Sequence, residues 1–188
     1  MQTCISLLRG INMAGHNKIK MADLLALYKN LGFKDSETFI QSGNVLFSTP
    51  ESMPIPGIAA KIEGAILKKF GFSIPVIIRT PKELRDIIAL NPFDGEENFN
   101  SDRLAVIFLD NKPSEDQIGK VENINYPPDK FKIMGKEIFI YCPNGFGKSK
   151  IYTGFFENKM KVTGTGRNWN TVNTLLEMAE KKQQNSHF

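Results

Sequence analysis

Two cysteines, two histidines and one tryptophan in 188 residues leave little room for several kinds of chemistry. Cys4 and Cys142 stand far apart, with no second cysteine or histidine at ligand spacing from either, so neither a disulfide framework nor a metal site is expected. Both read as buried free thiols. His16 and His187 belong to no local Ser-His or Cys-His motif, and no cofactor is expected. The longest apolar runs, residues 105–109 and 138–142, fall far short of the ~18 residues of a membrane span. The first residues read as a strand, without the basic start and apolar core of a leader, so the expectation is a cytoplasmic protein with no membrane partner.

What is present is ordinary globular material: 41% hydrophobic and 23% charged residues, enough to build a core without staples. The net charge of +4 is unevenly spread. Residues 130–167 carry eight basic side chains against Glu137 and Glu157, a segment charge of +6, while the rest of the chain is slightly acidic. A charge run of this kind is commonly a solvated face, yet it also marks where an anionic partner would bind.

Periodicity orders the elements. Ile5 and Leu7 alternate with Cys4, Ser6 and Leu8 as a buried strand, and Met21, Leu24, Leu25, Tyr28 and Leu31 recur at helical spacing up to Gly32. Residues 38–47 read as a hairpin turning near Ser42-Gly43, followed by a helix on Ile58, Ile62 and Ile66 and a strand at 74–79. Thr80 with Glu83 forms a capping box ahead of a short helix. Residues 91–101 lack periodicity and read as a linker. Beyond it come a strand at 104–109, a capping-box helix from Ser114 to about Asn123, and a hairpin at 131–134 and 137–141. A helix from about Ser149, a closing strand at 160–163 and a final helix on Val172, Leu175 and Leu176 complete the chain.

The order βαββαβ therefore occurs twice, with an extra C-terminal helix. The expected fold is α+β, two ferredoxin-like halves with antiparallel sheets and helices on one face, divided as residues 1–95 and 96–188. One mixed domain with a single long sheet is the alternative.

Three polar stretches carry candidate chemistry. Residues 142–149 nearly match a phosphate-cradling P-loop, but Cys142 replaces its first glycine, Pro143 removes a backbone donor, and the preceding strand belongs to a hairpin. Nucleotide hydrolysis is not expected there. Lys148, Ser149 and Lys150 at the start of a helix remain candidate anion ligands. Near the last helix, Arg167 suits a phosphate or carboxylate, with Asn168 and Trp169 beside it; a cap role for Asn168 and a packed Trp169 is the blander reading. The loop after the first strand offers Arg9, Asn12, His16 and Lys18, and Asn44 sits in the hairpin turn. The RNA-binding aromatic pattern of ferredoxin-like sheets is absent, although Phe139 and Tyr141 alternate in a strand.

Several of these strings together are similar to a known family. Leu8-Arg9-Gly10-Ile11-Asn12 running into Lys18 and Met21, Gln41-Ser42-Gly43-Asn44-Val45, Asn91-Pro92-Phe93, Ser149-Lys150 and Arg167-Asn168-Trp169-Asn170-Thr171-Val172 resemble the family called domain of unknown function 1697. The resemblance runs from the first strand to the last helix, with Ala14-Gly15 standing where members often have Gly-Gly and Gly166 where Thr is common. It implies a cytoplasmic bacterial protein of two ferredoxin-like halves and brings no catalytic residues.

The functional expectation is a binding protein for a phosphate-bearing or otherwise anionic ligand, a nucleotide or nucleic acid. Its contacts would come from Arg9, Asn12, Lys18, Asn44, Lys148, Ser149, Lys150, Arg167, Asn168 and Trp169. An enzyme with His16 as acid or base, and an assembly module, are the alternatives.

Overall fold

In the computed structural model, which describes residues 1–13 and 15–185, the expected first strand is β1 (Gln2–Leu8), buried on both faces from Thr3 onward. Ala14 and His187 lie outside the described residues. The chain forms two compact units, Met1–Arg85 together with the chain from Leu175, and Asp86–Thr174. This division precedes the aperiodic segment at 91–101, within which element order suggests a boundary at 95/96, and gives the end of the last helix to the first unit.

The first unit contains β1, α1 (Met21–Asn30), β2 (Lys34–Phe39), β3 (Asn44–Thr49), α2 (Ile55–Phe70) and β4 (Val76–Arg79). Its sheet runs β2-β3-β1-β4 with every neighbouring pair antiparallel. Cys4, Leu8, Val45, Phe47, Val76 and Ile78 pack beneath Leu24, Leu27 and Tyr28 of α1 and Ile58, Ile62 and Ile66 of α2. That is the 3.6-residue period of two helices meeting the two-residue period of a sheet. Ser6 Oγ and Tyr28 Oη, 2.7 Å apart, satisfy each other inside this layer. Gly71, at φ 80°, ends α2 in the left-handed conformation that favours glycine. The Thr80–Glu83 capping box opens α3 (Pro81–Ala89): the Thr80 amide donates to Glu83 Oε2 at 2.8 Å and the Glu83 amide to Thr80 Oγ1 at 3.2 Å.

The second unit repeats the order with β5 (Leu104–Leu109), α4 (Glu115–Gly119), β6 (Lys130–Met134), β7 (Glu137–Tyr141), α5 (Thr153–Met160) and β8 (Gly164–Asn168), in a sheet ordered β6-β7-β5-β8. All of its pairs are antiparallel, so both units are ferredoxin-like halves of an α+β chain. Helix α6 (Trp169–Asn185) follows β8 as α3 follows β4. Ile107, Leu109, Ile138, Ile140 and Cys142 form the helix-covered face with Ile151, Phe156 and Met160. The opposite face, with Val106, Phe108, Phe139, Tyr141 and Arg167, is buried as well.

Three expected elements shift. Helix α4 ends at Gly119 and continues only as turns. The helix expected from about Ser149 begins at Thr153, because the Ser149 hydroxyl accepts from the Ile151 amide at 3.0 Å and donates to the Ile151 carbonyl at 3.1 Å, a local turn rather than a cap. The closing strand lies at Gly164–Asn168, not 160–163, since Lys161 takes φ 57° to end α5. The segment read as a linker is anchored within the second unit: Phe93 and Phe99 stack on Tyr141 at 5.6 and 5.7 Å.

Candidate functional site

The chain leaves β7 through buried Cys142, whose amide donates to the Arg103 carbonyl at 2.9 Å. It turns at Gly145, where φ is 89° and the amide donates back to the Cys142 carbonyl at 2.8 Å. A single 3-10 turn, Phe146–Lys148, leads to Ser149 and then to buried Ile151, which re-enters the core. Residues 143–150 thus bow out of the sheet between two buried anchors. Opposite them, the segment at 125–129 closes on itself through the Asp129 amide and the Tyr126 carbonyl at 2.9 Å. The peptide bond between Pro127 and Pro128 there is cis.

Between the two segments lies a depression of about 310 Å³, lined by Asn125, Tyr126, Asp129, Asn144, Lys148, Ser149 and Lys150 among others. The Lys150 ammonium sits 5.4 Å from the centroid of the Tyr126 ring, whose edge meets Phe155 at 6.0 Å. Lys148 is exposed and forms no hydrogen bond or ion pair among the described residues. The depression shares Asn125, Tyr126 and Asp129 with a cleft of about 640 Å³, which has Phe93, Phe131, Ile133 and Ile151 in its walls and Lys130 and Lys132 at its rim. Lys130 is neutralised there by Glu96.

Burial pushes the Cys142 thiol up to about 11; a hydrogen bond with Ser149 pulls the other way, and the charge and hydrogen bonding of Asp129 add to the rise. At neutral pH this sulfur is therefore held as the thiol rather than the thiolate. Among the described residues, no three His, Cys, Asp or Glu side chains come together to hold a metal ion. No helix among them is long and apolar enough to cross a membrane.

Lys148, Ser149 and Lys150 are therefore brought together, but without the helix N-terminus that motivated them. The P-loop likeness also dissolves, since β7 is an antiparallel hairpin strand and residues 149–152 form a bent, non-helical segment. Arg167 is not brought to them. It stands in β8, paired with Val106, on the sheet face opposite Cys142 and Ile151. It is buried, and its Nη1 donates to Thr165 Oγ1 and the Gly166 carbonyl, both at 2.8 Å. Desolvation pulls this guanidinium down to about 10, which leaves it charged at neutral pH. Asn168 caps α6 by accepting from the Thr171 amide at 2.8 Å, and Trp169 packs 6.3 Å from Phe139.

The remaining candidates belong to the first unit. Asn12 has its amide fully engaged: Nδ2 donates to the Ile19 and Gln41 carbonyls at 2.9 and 3.0 Å, and Oδ1 accepts from the Ile19 amide at 2.9 Å. Asn44 donates to the Phe39 carbonyl at 3.1 Å and to Ser42 Oγ at 2.9 Å, which fixes the hairpin turn. Arg9 is half-buried, His16 is exposed on a tight turn, and Lys18 lines a separate depression of about 680 Å³ with Asn12, Lys20 and Asp23.

Sequence reasoning assigns no functional role to Arg79, Arg103 or Phe146, and it puts Tyr152 on one helix face with Ile151, Phe155 and Phe156, whereas Tyr152 precedes α5 and is exposed. Arg79 is the last residue of β4, one before the cap Thr80, and Arg167 stands in β8 one before the cap Asn168; Arg79 has only 2% of its surface exposed, and the repeat of arginine, cap and helix is the signal that marks it. Phe146 and Tyr152 bracket the two lysines in the string Phe146-Gly147-Lys148-Ser149-Lys150-Ile151-Tyr152, a pattern visible once the P-loop reading is set aside.

No curated protein matches the chain. Among solved structures, the conserved bacterial protein SP0830 from Streptococcus pneumoniae is similar with a TM-score of 0.72 at 22% identity, over 96% of this chain and 99% of that one, a likeness of fold alone. The model of the family described as "Protein of unknown function (DUF1697)" matches residues 1–139, and the chain belongs to that family.

Proposed function

We propose that the protein binds a phosphate-bearing ligand in the depression of the second unit. The observation that carries this reading is the lining itself: two lysines, Lys148 and Lys150, and two side-chain amides, Asn125 and Asn144, around one hollow of about 310 Å³. Ammonium groups supply mobile point charges for phosphate oxygens, and the amides supply donors that hold orientation. Asp129 is the opposing charge, and it favours ligands that present a hydroxyl or amine beside the phosphate. Arg9, Asn12, Lys18 and Asn44 belong to the other unit and Arg167 to the other sheet face, so the reading rests on residues 125–129 and 144–150.

Isothermal titration of the protein with inorganic pyrophosphate and with a nucleoside triphosphate, at about 0.05 and about 0.2 M salt, tests it. Binding at the lower salt that weakens at the higher one is expected. The double variant Lys148→Ala/Lys150→Ala should lose about tenfold or more in affinity. Absence of heat at low salt, or a double variant that binds as tightly as the parent, overturns the proposal.

A further inference from the structure

We infer that the phosphate-bearing ligand is a single-stranded nucleic acid, held by residues 146–152 through ring stacking and phosphate contacts rather than base-specific hydrogen bonds. The inference rests on the reading of the depression just given and extends it along the neighbouring surface. Large apolar side chains exposed among the described residues are few, and only two of them are aromatic: Phe146 at 39% and Tyr152 at 59%. Both lie in this one seven-residue string, at its two ends, with Lys148 and Lys150 between them. A ring left in water forgoes the burial that ordinarily places aromatics inside. Two such rings bracketing two lysines match the requirement of a strand that alternates bases with phosphates.

Two glycines prepare the strip. A Cβ at Gly154 would fall 2.8 Å from Tyr152 Cε2, so the Tyr152 ring rests against the backbone of α5 where any side chain would displace it. Tyr152 occupies the N-cap position of α5 without making a side-chain cap bond, which leaves its exposed ring without a role in the helix. At the other end, a Cβ at Gly145 would fall 2.7 Å from Arg103 Nη1. The Arg103 guanidinium therefore lies over the turn that precedes Phe146, and it makes no hydrogen bond or ion pair among the described residues. It adds a third cation beside Lys148 and Lys150.

The mode differs from that of RNA-binding ferredoxin-like sheets, in which aromatics of the central strands stack on bases. Phe139 and Tyr141 on β7 are 1% and 5% exposed and are unavailable for stacking. Duplex nucleic acid presents its bases already stacked, so the two rings gain nothing from it.

Fluorescence anisotropy of labelled oligo(dT) and oligo(U) of about ten nucleotides, with pyrophosphate and a duplex as competitors, tests the inference. Expected are binding of either oligomer more tightly than pyrophosphate, and a loss of about tenfold in oligomer affinity for Tyr152→Ala and for Phe146→Ala, with pyrophosphate binding unchanged in both. Gly154→Ala, which moves the ring without removing it, should weaken the oligomer in the same selective way. Pyrophosphate binding that persists while the oligomer binds no tighter, or while Tyr152→Ala leaves the oligomer unaffected, overturns the inference and spares the phosphate site. A duplex that competes as well as the single strand also overturns it. Failure of pyrophosphate and oligomer alike removes both.

Discussion

Asn12 holds a left-handed backbone conformation, φ 54°, and its Nδ2 stitches the loop after β1 to the β2–β3 turn at Gln41 while Oδ1 accepts from Ile19 within the loop. In sequence it looks like a ligand-loop asparagine, because side-chain chemistry is legible there and its partners are not. Gly43 shows the same limit from the other side. The hairpin turn implies a glycine with positive φ, but only the structure shows that a Cβ there would lie 2.7 Å from Leu8 Cβ and 2.8 Å from Ile11 Cδ1. Gly43→Ala should accordingly cost about 1–3 kcal/mol in backbone strain and a similar amount in crowding, read as a fall in the urea midpoint. The buried thiols give a pH signature. Burial first, and then the charge of Glu83, push Cys4 up to about 12 from its ordinary 9.0. The folded chain keeps that proton over a range where the unfolded chain has released it, so Cys4 lowers stability as pH rises above 9. Cys4→Ala removes the titration. Its stability deficit relative to the parent, measured by denaturant unfolding, should shrink between pH 8 and 11, and a constant deficit would contradict the assignment.

Elements fared best where the signal is local. Strand β7 falls at 137–141 as the alternation implies, α2 stops at Gly71, and both capping boxes form, that of Ser114 with Gln117 closing at 2.9 and 3.3 Å. Thr80→Ala should therefore lower stability by about 1 kcal/mol in thermal unfolding, with Thr80→Ser retaining most of it. Strand β8 fared worst. Gly164-Thr165-Gly166-Arg167-Asn168 has the composition of a loop, and it is a strand because of what lies beside it. A Cβ at Gly164 would stand 2.8 Å from Ile107 Cγ2, so this glycine lets the edge strand close against the side chains of β5, and one at Gly166 would stand 3.0 Å from Thr153 Oγ1 of α5. Once these residues are extended, the two-residue period sends Arg167 to the face away from Lys148, and the site that three basic stretches suggested divides accordingly. What was legible of the site is the cluster at 148–150, whose members are neighbours in sequence. The opposing wall at 125–129 lies outside any motif.

At the scale of the molecule, the repeated order of elements was legible and the ownership of the last helix was not. Residues from Leu175 belong with the first unit, where Lys182 Nζ donates to the Asp35 carbonyl at 2.6 Å and Arg85 pairs with Glu180 at 2.7 Å. Periodicity identifies such a helix without saying what it packs on. A chain ending at Thr174 should lose hydrogen-exchange protection in β2, the edge strand that contains Asp35, while β5 and β7 of the second unit stay protected. Equal loss in both sheets would count against this division.

That ownership also sets an order in time. The second unit is one unbroken stretch and has all of its residues once Thr174 is made, whereas the first is incomplete until the residues from Leu175 onward have been translated. Domains commonly fold in the order in which a ribosome delivers them. Here the half that is synthesised first is the half that finishes last.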